Sequence, residues 1–107
     1  MPESRAETEL DAVFAALADP TRRDVVRALG QAPTSASELA ARMPVSRQAI
    51  AKHLALLATA GLVDSSRDGR QVRYTLTPGA FSDAVAWMTD VGAAWDARLA
   101  ALRRHVG

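Results

Sequence analysis

The 107 residues suffice for one folded domain, and they contain no cysteine, which excludes disulfides, thiolate-ligated metals and cysteine nucleophiles. Hydrophobic residues make up 49% of the chain but aromatic residues only 5%, so the apolar content is mainly Ala, Leu and Val, which favours packed helices. The formal net charge of +1 conceals a segment from Arg42 to Arg73 with six cationic and two anionic side chains, while the remainder has a net charge of −3. This segregation indicates a face that meets a polyanion, although an ordinary solvated surface explains it equally well.

Charged residues interrupt every long apolar stretch, and the first ten residues, MPESRAETEL, have an acidic balance. Neither a membrane-spanning helix nor a signal peptide is therefore predicted. The lack of cysteine fits a reducing compartment, so we expect a cytoplasmic protein without a membrane partner.

The first predicted helix covers about residues 7–18, because apolar residues recur there at steps of three and four from position 10 to position 17. Acidic residues in its first turns favour the helix through the macrodipole. We expect residues 1–6 to be disordered and residues 7–107 to form the single domain.

Asp19 and Pro20 predict the start of a second helix, since aspartate is a preferred N-cap and proline suits the first helical turn. This helix is expected to run to Leu29 and to end at Gly30. Further on, the sequence Ser35-Ala36-Ser37-Glu38 matches a capping box and opens a third helix of barely two turns.

A fourth helix is predicted at about residues 46–60, with Ser46 as its N-cap and Gly61 as its C-terminal cap. The short third helix, a tight turn and this longer helix form a helix-turn-helix unit. The inward side of the fourth helix is predicted to consist of Ile50, Leu54 and Leu57.

The hydrophobic period changes to two over about residues 62–76, which predicts a β-hairpin. The dipeptide Asp68-Gly69 is a strong signal for a two-residue turn between the strands. The register that follows pairs Val63 with Tyr74 on the inward face and Asp64 with Arg73 as an outward ion pair.

The last predicted helix covers about residues 79–105 and would be about 40 Å long, more than a domain of this size can cover internally. Its apolar stripe is too wide for one neighbour and includes two tryptophans, so we expect it to pair with a second copy in a symmetric dimer. A helix folded back over a single core is the alternative. The predicted dimer interface consists of Leu10, Phe14, Phe81, Trp87, Met88, Val91, Trp95, Leu99 and Leu102.

Five segments follow one another in a characteristic order, namely LADPTRR at 17–23, SELA at 37–40, SRQAIAKHL at 46–54, GLV at 61–63 and GRQVRY at 69–74. From about residue 10 to residue 105, the chain resembles the ArsR/SmtB family of bacterial transcriptional regulators. The resemblance implies a mainly α fold with a β-hairpin wing, a winged helix-turn-helix. It also implies a homodimer whose first and last helices form the interface, and a repressor that a signal releases from DNA.

The helix starting at Ser46 is the predicted recognition helix, because its N-terminal end enters the major groove in this class of motif. Arginine can bond to guanine and glutamine to adenine, and the small Ala51 permits close approach. On the hairpin, Arg70 is the best candidate for the minor groove, whereas Arg73 is equally well explained by an ion pair with Asp64. The predicted DNA-binding residues are Ser46, Arg47, Gln48, Ala51, Lys52, His53, Arg67, Arg70 and Arg73.

Arg22 recurs in the family motif, and we expect it to form a salt bridge with an acidic residue. Metal-sensing members of the family have Cys-x-Cys on the third helix, or paired His and carboxylate ligands on the last helix. Here the last helix offers only Asp83, Asp90, Asp96 and His105, without the spacing of a four-ligand site. Neither a metal nor another cofactor is predicted, and an unidentified small-molecule effector stays open.

With two histidines, no cysteine and no phosphate-binding glycine loop, the chain shows no catalytic arrangement, so an enzyme is not expected. The prediction is a sequence-specific regulator that binds double-stranded DNA, a repressor acting as a homodimer on an inverted repeat and not responsive to metals through the usual cysteine site. The alternative is a winged-helix adaptor that contacts proteins without specific DNA binding.

Overall fold

The computed structural model describes the backbone of residues 5–106 and the side-chain surroundings of residues 8–105. The described chain is mainly helical with one small antiparallel sheet, as the sequence predicts. In chain order the elements are α1 (Arg5–Leu17), α2 (Pro20–Gln31), β1 (Thr34–Ser35), α3 (Ala36–Arg42), α4 (Arg47–Thr59), β2 (Val63–Asp68), β3 (Gln71–Leu76) and α5 (Ser82–Val106).

Helix α1 begins at Arg5, two residues earlier than predicted, so positions 5 and 6 are helical rather than disordered. The rest of the predicted disordered stretch, residues 1–4, lies outside the described residues. The helix ends at Leu17, within one residue of the predicted end.

The last turn of α1 contains no basic residue, and two arginines of α2 take over the role of capping it. Arg22 donates from Nε to the carbonyl oxygen of Ala16 at 2.7 Å, and Arg23 donates from Nη1 to that of Leu17 at 2.8 Å. Such carbonyls have no partner within their own helix and lie at the negative end of its dipole. The predicted salt bridge from Arg22 to an acidic side chain is therefore wrong, because its guanidinium binds the main chain.

Asp19 caps α2 as predicted, with its Oδ2 accepting a hydrogen bond from the backbone N–H of Arg22 at 2.9 Å. This hydrogen bond is the main reason why the pKa of the Asp19 carboxyl lies below its ordinary value. The helix continues to Gln31, so the predicted end at Gly30 is wrong. A glycine inside a helix lowers stability by only about 1 kcal/mol, which tertiary packing can outweigh.

Both helices of the helix-turn-helix unit start at the predicted serine. The Oγ of Ser35 accepts a hydrogen bond from the backbone N–H of Glu38 at 3.1 Å. The Oγ of Ser46 accepts one from the backbone N–H of Ala49, also at 3.1 Å. These bonds satisfy N–H groups that have no intrahelical partner, so the short α3 and the recognition helix α4 both start with a side-chain cap.

Helix α4 ends in a Schellman motif at the predicted glycine. Gly61 has a φ of 80°, a conformation that residues with a Cβ rarely adopt. The N–H of Leu62 donates to the carbonyl of Leu57 at 2.9 Å, and the N–H of Gly61 donates to that of Ala58 at 3.0 Å. This turn directs the chain from α4 straight into the hairpin.

The sheet has the order β1-β3-β2, and the sequence does not predict β1. This strand pairs Thr34 with Tyr74 and Ser35 with Arg73. Two residues are too few to show a period, but they attach the hairpin to the turn that precedes α3. The wing therefore has a fixed base on the helix-turn-helix unit.

The hairpin turn consists of Gly69-Arg70 rather than Asp68-Gly69, with a φ of 64° at Gly69. The predicted turn would place Arg67 directly opposite Arg70, and like charges in that position destabilise a sheet. The predicted pairs Val63–Tyr74 and Asp64–Arg73 are consequently wrong by two residues. The observed pairs are Val63–Leu76, Asp64–Thr75, Ser65–Tyr74, Ser66–Arg73, Arg67–Val72 and Asp68–Gln71.

The core lies between α1–α4 and the base of the hairpin. Each large apolar side chain removed from water contributes about 1.5–3 kcal/mol to stability. Three of the most enclosed side chains form the inward side of α4 that the sequence predicts, so the core fixes which side of α4 faces solvent. The fully buried side chains are Val25, Leu39, Ile50, Leu54, Leu57 and Leu62.

Helix α5 begins at Ser82, three residues later than predicted, and extends away from this core. The molecule is accordingly elongated, measuring 63 × 36 × 20 Å along its principal axes. On α5, Ala84 is buried against the core, whereas most of the larger apolar side chains are exposed. In the described part of the chain, no helix combines the length and apolarity needed to cross a bilayer.

Candidate nucleic-acid interface

The first two turns of α4 present polar and small side chains to solvent. Ile50 and Leu54 are fully buried on the opposite side of the helix. Because an α-helix turns 3.6 residues per turn, this burial leaves the intervening positions facing outward. The exposed positions are Arg47, Gln48, Ala51 and Lys52, the side that the sequence predicts.

The wing ends in a tight turn with an arginine at its apex. A positive φ at Gly69, without one at Arg70, matches the type II′ turn preferred in two-residue hairpins. Arg67 and Arg70 are both exposed. Among the residues that the structure describes, Arg70 has no hydrogen bond or ion pair, so no described contact occupies its guanidinium.

Helix α4 and the wing enclose one groove of about 410 Å³. Arg47 belongs to the helix side of this groove and Arg70 to the wing side, so the structure brings together two arginines that are 23 positions apart in the sequence. The start of α3 completes the lining. The residues that line the groove are Ser35, Ala36, Ser37, Arg47, Gln48, Ala51, Arg70, Gln71, Val72 and Tyr74.

Two exposed polar residues of the groove, Ser37 and Gln71, are absent from the predicted site. Ser37 belongs to the capping-box segment, where the sequence indicates only a helix start. Gln71 follows the hairpin turn, and the predicted register gives it no special place. Only the tertiary arrangement of α3 and β3 around the groove identifies these two residues.

Four other predicted DNA-binding residues lie outside the groove lining. Ser46, Lys52 and Arg67 are exposed. His53 is partly buried, and its Nδ1 is enclosed without a hydrogen-bond partner among the described residues. The Oγ of Ser46 is engaged in the helix cap, which leaves it close to the N-terminal backbone of α4.

The last predicted residue, Arg73, is held by its own chain. Its Nε donates to Oδ2 of Asp68 at 2.9 Å, its Nη2 lies 3.7 Å from Oε1 of Glu38, and its Nη1 donates to the carbonyl oxygen of Pro33 at 3.5 Å. The hydrogen bond to Asp68, followed by the charge of Glu38, raises the pKa of the guanidinium. The predicted partner, Asp64, is wrong because the register differs by two residues.

A second exposed surface, the α5 face, is apolar. Trp87 is 49% exposed and Trp95 is 55% exposed, although indole side chains normally bury most of their area. The rings of Phe14 and Trp87 pack edge to face with centroids 5.5 Å apart and an interplanar angle of 67°, which joins α1 to α5. The α5 face consists of Val85, Trp87, Met88, Val91, Trp95 and Leu102.

Five of the nine predicted dimer-interface residues belong to the α5 face, and Val85 is an addition to the prediction. Of the other four, Leu10, Phe14 and Phe81 are partly buried against the core, and Leu99 is partly buried on α5. Within residues 8–105, no three His, Asp or Glu side chains are grouped in a way that could hold a metal ion.

Helices α2, α3 and α4, the hairpin wing, and the groove between α4 and that wing define a winged helix-turn-helix protein. In this class, the second helix of the helix-turn-helix unit is inserted into the major groove of DNA.

Comparisons with known proteins agree with this classification. Residues 17–66 match the family model of a helix-turn-helix domain. The HTH-type transcriptional regulator Rv2034 of Mycobacterium tuberculosis is 40% identical over 85 residues, 79% of this chain and 77% of that protein. The transcriptional repressor SdpR of Bacillus subtilis is 32% identical over 76 residues, 71% of this chain and 84% of that protein. An ArsR-like transcriptional regulator from Rhodococcus sp. RHA1 superposes with a TM-score of 0.78 at 48% identity, covering 92% of both chains.

The chain belongs to the ArsR/SmtB family of transcriptional regulators, which confirms the family and the fold expected from the sequence. It is a DNA-binding transcriptional regulator and not an enzyme.

Proposed function

We propose that the protein is a homodimeric repressor that reads an inverted-repeat operator with α4 in the major groove and the wing in the adjacent minor groove. The groove shared by Arg47 and Arg70 is the observation that supports this proposal most directly. When α4 lies in the major groove, the sugar-phosphate backbone of one DNA strand separates that groove from the adjacent minor groove. This backbone would occupy the space between α4 and the wing. Cationic side chains on both sides suit a phosphodiester backbone.

The first turns of α4 supply the base contacts in this proposal. Arg47 can form a bidentate pair with guanine, and Gln48 can form one with adenine. The methyl group of Ala51 allows close approach and suits a thymine methyl. Lys52 adds a further contact at the edge of the DNA major groove, where its charge attracts bases or phosphates. Each good bidentate pair contributes about 1–3 kcal/mol of discrimination against the wrong base.

The backbone contacts come from residues around this centre. Ser46 lies at the N-terminus of α4, where the helix dipole favours a phosphate. His53 and Arg67 are proposed to contact phosphates on either side of the groove. Arg70, at the apex of the wing, is proposed to enter the minor groove, where A/T-rich sequence concentrates negative potential.

The α5 face, together with α1, is the proposed dimer interface. Its two half-exposed tryptophans would be a large apolar patch on a monomer, and a two-fold interface would cover it with the same patch of a second copy. The two recognition helices would then read half-sites whose centres lie about 10–10.5 base pairs apart.

A gel-shift titration with DNA flanking the protein's own gene, followed by footprinting, tests the proposal. Sequence-selective retardation and a footprint over an inverted repeat are expected. The Arg47→Ala variant should bind more weakly and lose preference at one base position per half-site. The control variant Arg27→Ala, which removes an arginine of α2 paired with Asp24 at 2.9 Å, should bind as the wild type does. Absence of binding even at low salt would favour the adaptor and contradict the repressor.

A further inference from the structure

Arg73 connects three parts of the structure that are far apart in the sequence. Its guanidinium reaches Asp68 beside the wing turn, Glu38 in the first turn of α3, and the carbonyl of Pro33 before β1. Each of the three nitrogens has its own partner. The side chain is only about one-third exposed, unlike the ion pair between Arg27 and Asp24 on α2.

The strand geometry separates Arg73 from the groove. Val72 and Tyr74 line the groove between α4 and the wing, and side chains alternate between the two faces of a strand. Arg73 stands between them, so its side chain points to the opposite face, and Arg73 is absent from the groove lining, which on β3 otherwise includes only Gln71 beside the turn. Asp68 shares that face, because Arg73 pairs with Ser66 and Asp68 is two residues further along β2. Arg73 is thus placed behind the groove and is engaged with anions of its own chain.

We propose that Arg73 is a positioning residue, which ties the outer half of the wing to α3 and thereby holds Arg70 in place relative to α4. In this arrangement Arg73 itself makes no contact with DNA phosphates. The DNA part of the inference rests on the proposed function, whereas the attachment of the wing is a property of the protein alone. Arginine suits the role because its planar fork can serve several acceptors in fixed directions, whereas lysine has one nitrogen.

The first test uses the full chain without DNA. Trypsin cleaves after arginine, so the exposed Arg67 and Arg70 report on opening of the wing. We expect the Arg73→Lys variant to be cleaved after these two residues at least about threefold faster than the wild type, in line with the loss of a small ion-pair network. Arg27→Lys, a change in an exposed pair on α2, should be cleaved at the wild-type rate. Equal cleavage of Arg73→Lys and the wild type would overturn the proposal, whether or not the protein binds DNA.

The second test measures DNA binding at several salt concentrations. Arg73→Lys keeps the charge, so a phosphate-contacting residue would tolerate it, whereas a positioning residue would not. We expect binding to weaken about threefold or more for both Arg73→Lys and Arg73→Gln. Wild-type affinity of Arg73→Lys, together with weaker binding and a slope lowered by about 0.9 per lost contact in Arg73→Gln, would identify a phosphate contact and overturn the proposal.

A third variant separates positioning from simple electrostatics. Asp68→Ala removes a negative charge close to the wing apex, so charge alone predicts tighter binding to DNA. Positioning predicts weaker binding, because Arg73 loses its closest partner. Equal or tighter binding by Asp68→Ala would contradict the proposal. Thermal unfolding of each variant checks that the domain remains folded. Failure of the wild type to bind DNA would count against the proposed function, but the trypsin experiment would still decide whether Arg73 holds the wing.

Discussion

Removing the side chain of Arg70 tests the proposed interface at one point. The residue lies at the apex of the wing, is exposed, and has no hydrogen bond or ion pair within the described chain. Arg70→Ala should therefore leave folding stability unchanged, since no described contact depends on the guanidinium. Its effect should be confined to DNA, where we expect weaker binding and a flatter salt dependence.

The size of the effect follows from counterion release. Each phosphate charge neutralised by the protein contributes about 0.9 to the slope of log K against log salt. The proposed dimer has two wings, so the variant should lose about 1.8 from the slope. The affinity of the variant relative to the wild type should therefore be reduced about twelvefold more at 50 mM salt than at 200 mM salt. A monomer with one wing would show a change of only about 3.5-fold.

Fluorescence anisotropy with a labelled operator, at four or more salt concentrations, measures this slope. Arg27→Ala is the matched control, because it removes the same charge from an exposed position on α2 that is absent from the groove lining. Its affinity and slope should equal those of the wild type at salt concentrations that screen distant charges. Equal affinities of Arg70→Ala and wild type at both ends of the salt range would refute a DNA contact at the wing apex.

Three further predictions concern stability and assembly. Gly61→Ala should lower stability by about 1–2 kcal/mol because of the positive φ, as measured by thermal unfolding. Gly30→Ala, in the last turn of α2, should instead raise the melting temperature, because alanine favours the helix and its Cβ would meet only an ordinary contact at 3.6 Å. Because the pKa of Asp19 is lowered in the folded protein, its cap contributes fully to stability above the ordinary carboxyl pKa of about 3.9. This contribution is lost as the pH falls through the lower pKa of the folded state. The difference in stability between the wild type and Asp19→Ala should therefore shrink in acid. Val91→Asp, in the middle of the α5 face, should shift sedimentation at micromolar concentration from dimer to monomer, and a wild-type protein that sediments as a monomer would remove the proposed interface.

The parts of the fold that the sequence predicts correctly depend on local chemistry. Asp19, Ser35 and Ser46 form their caps with backbone groups three residues away, and Gly61 supplies a left-handed conformation within its own turn. Such signals are contained in a few consecutive residues. The end of α2 is not local in this sense, because Gly30 is suited to a helix end by propensity, whereas the helix continues toward β1, a strand that exists only by pairing with β3.

The site divides in the same way. Arg47 and Gln48 are predicted because their helix has a clear apolar side, and Arg70 because it follows a turn glycine. Ser37 and Gln71 are not predicted, since a serine in a helix start and a glutamine after a turn have no local property that points to a groove. They belong to the groove because three elements converge there.

The hairpin register shows why the remaining error matters for function. A shift by two residues leaves every side chain on its original face, so hydrophobic alternation cannot distinguish the two registers. The charges do distinguish the two registers. In the observed register, Arg67 no longer lies opposite Arg70, and Arg73 pairs with Asp68 instead of Asp64. It also moves Arg70 out of the strand and into the turn itself. An arginine at the apex of a two-residue turn is the narrowest cationic tip that a hairpin can present, and a minor groove about 6 Å wide admits a probe of that shape more readily than the side of a strand.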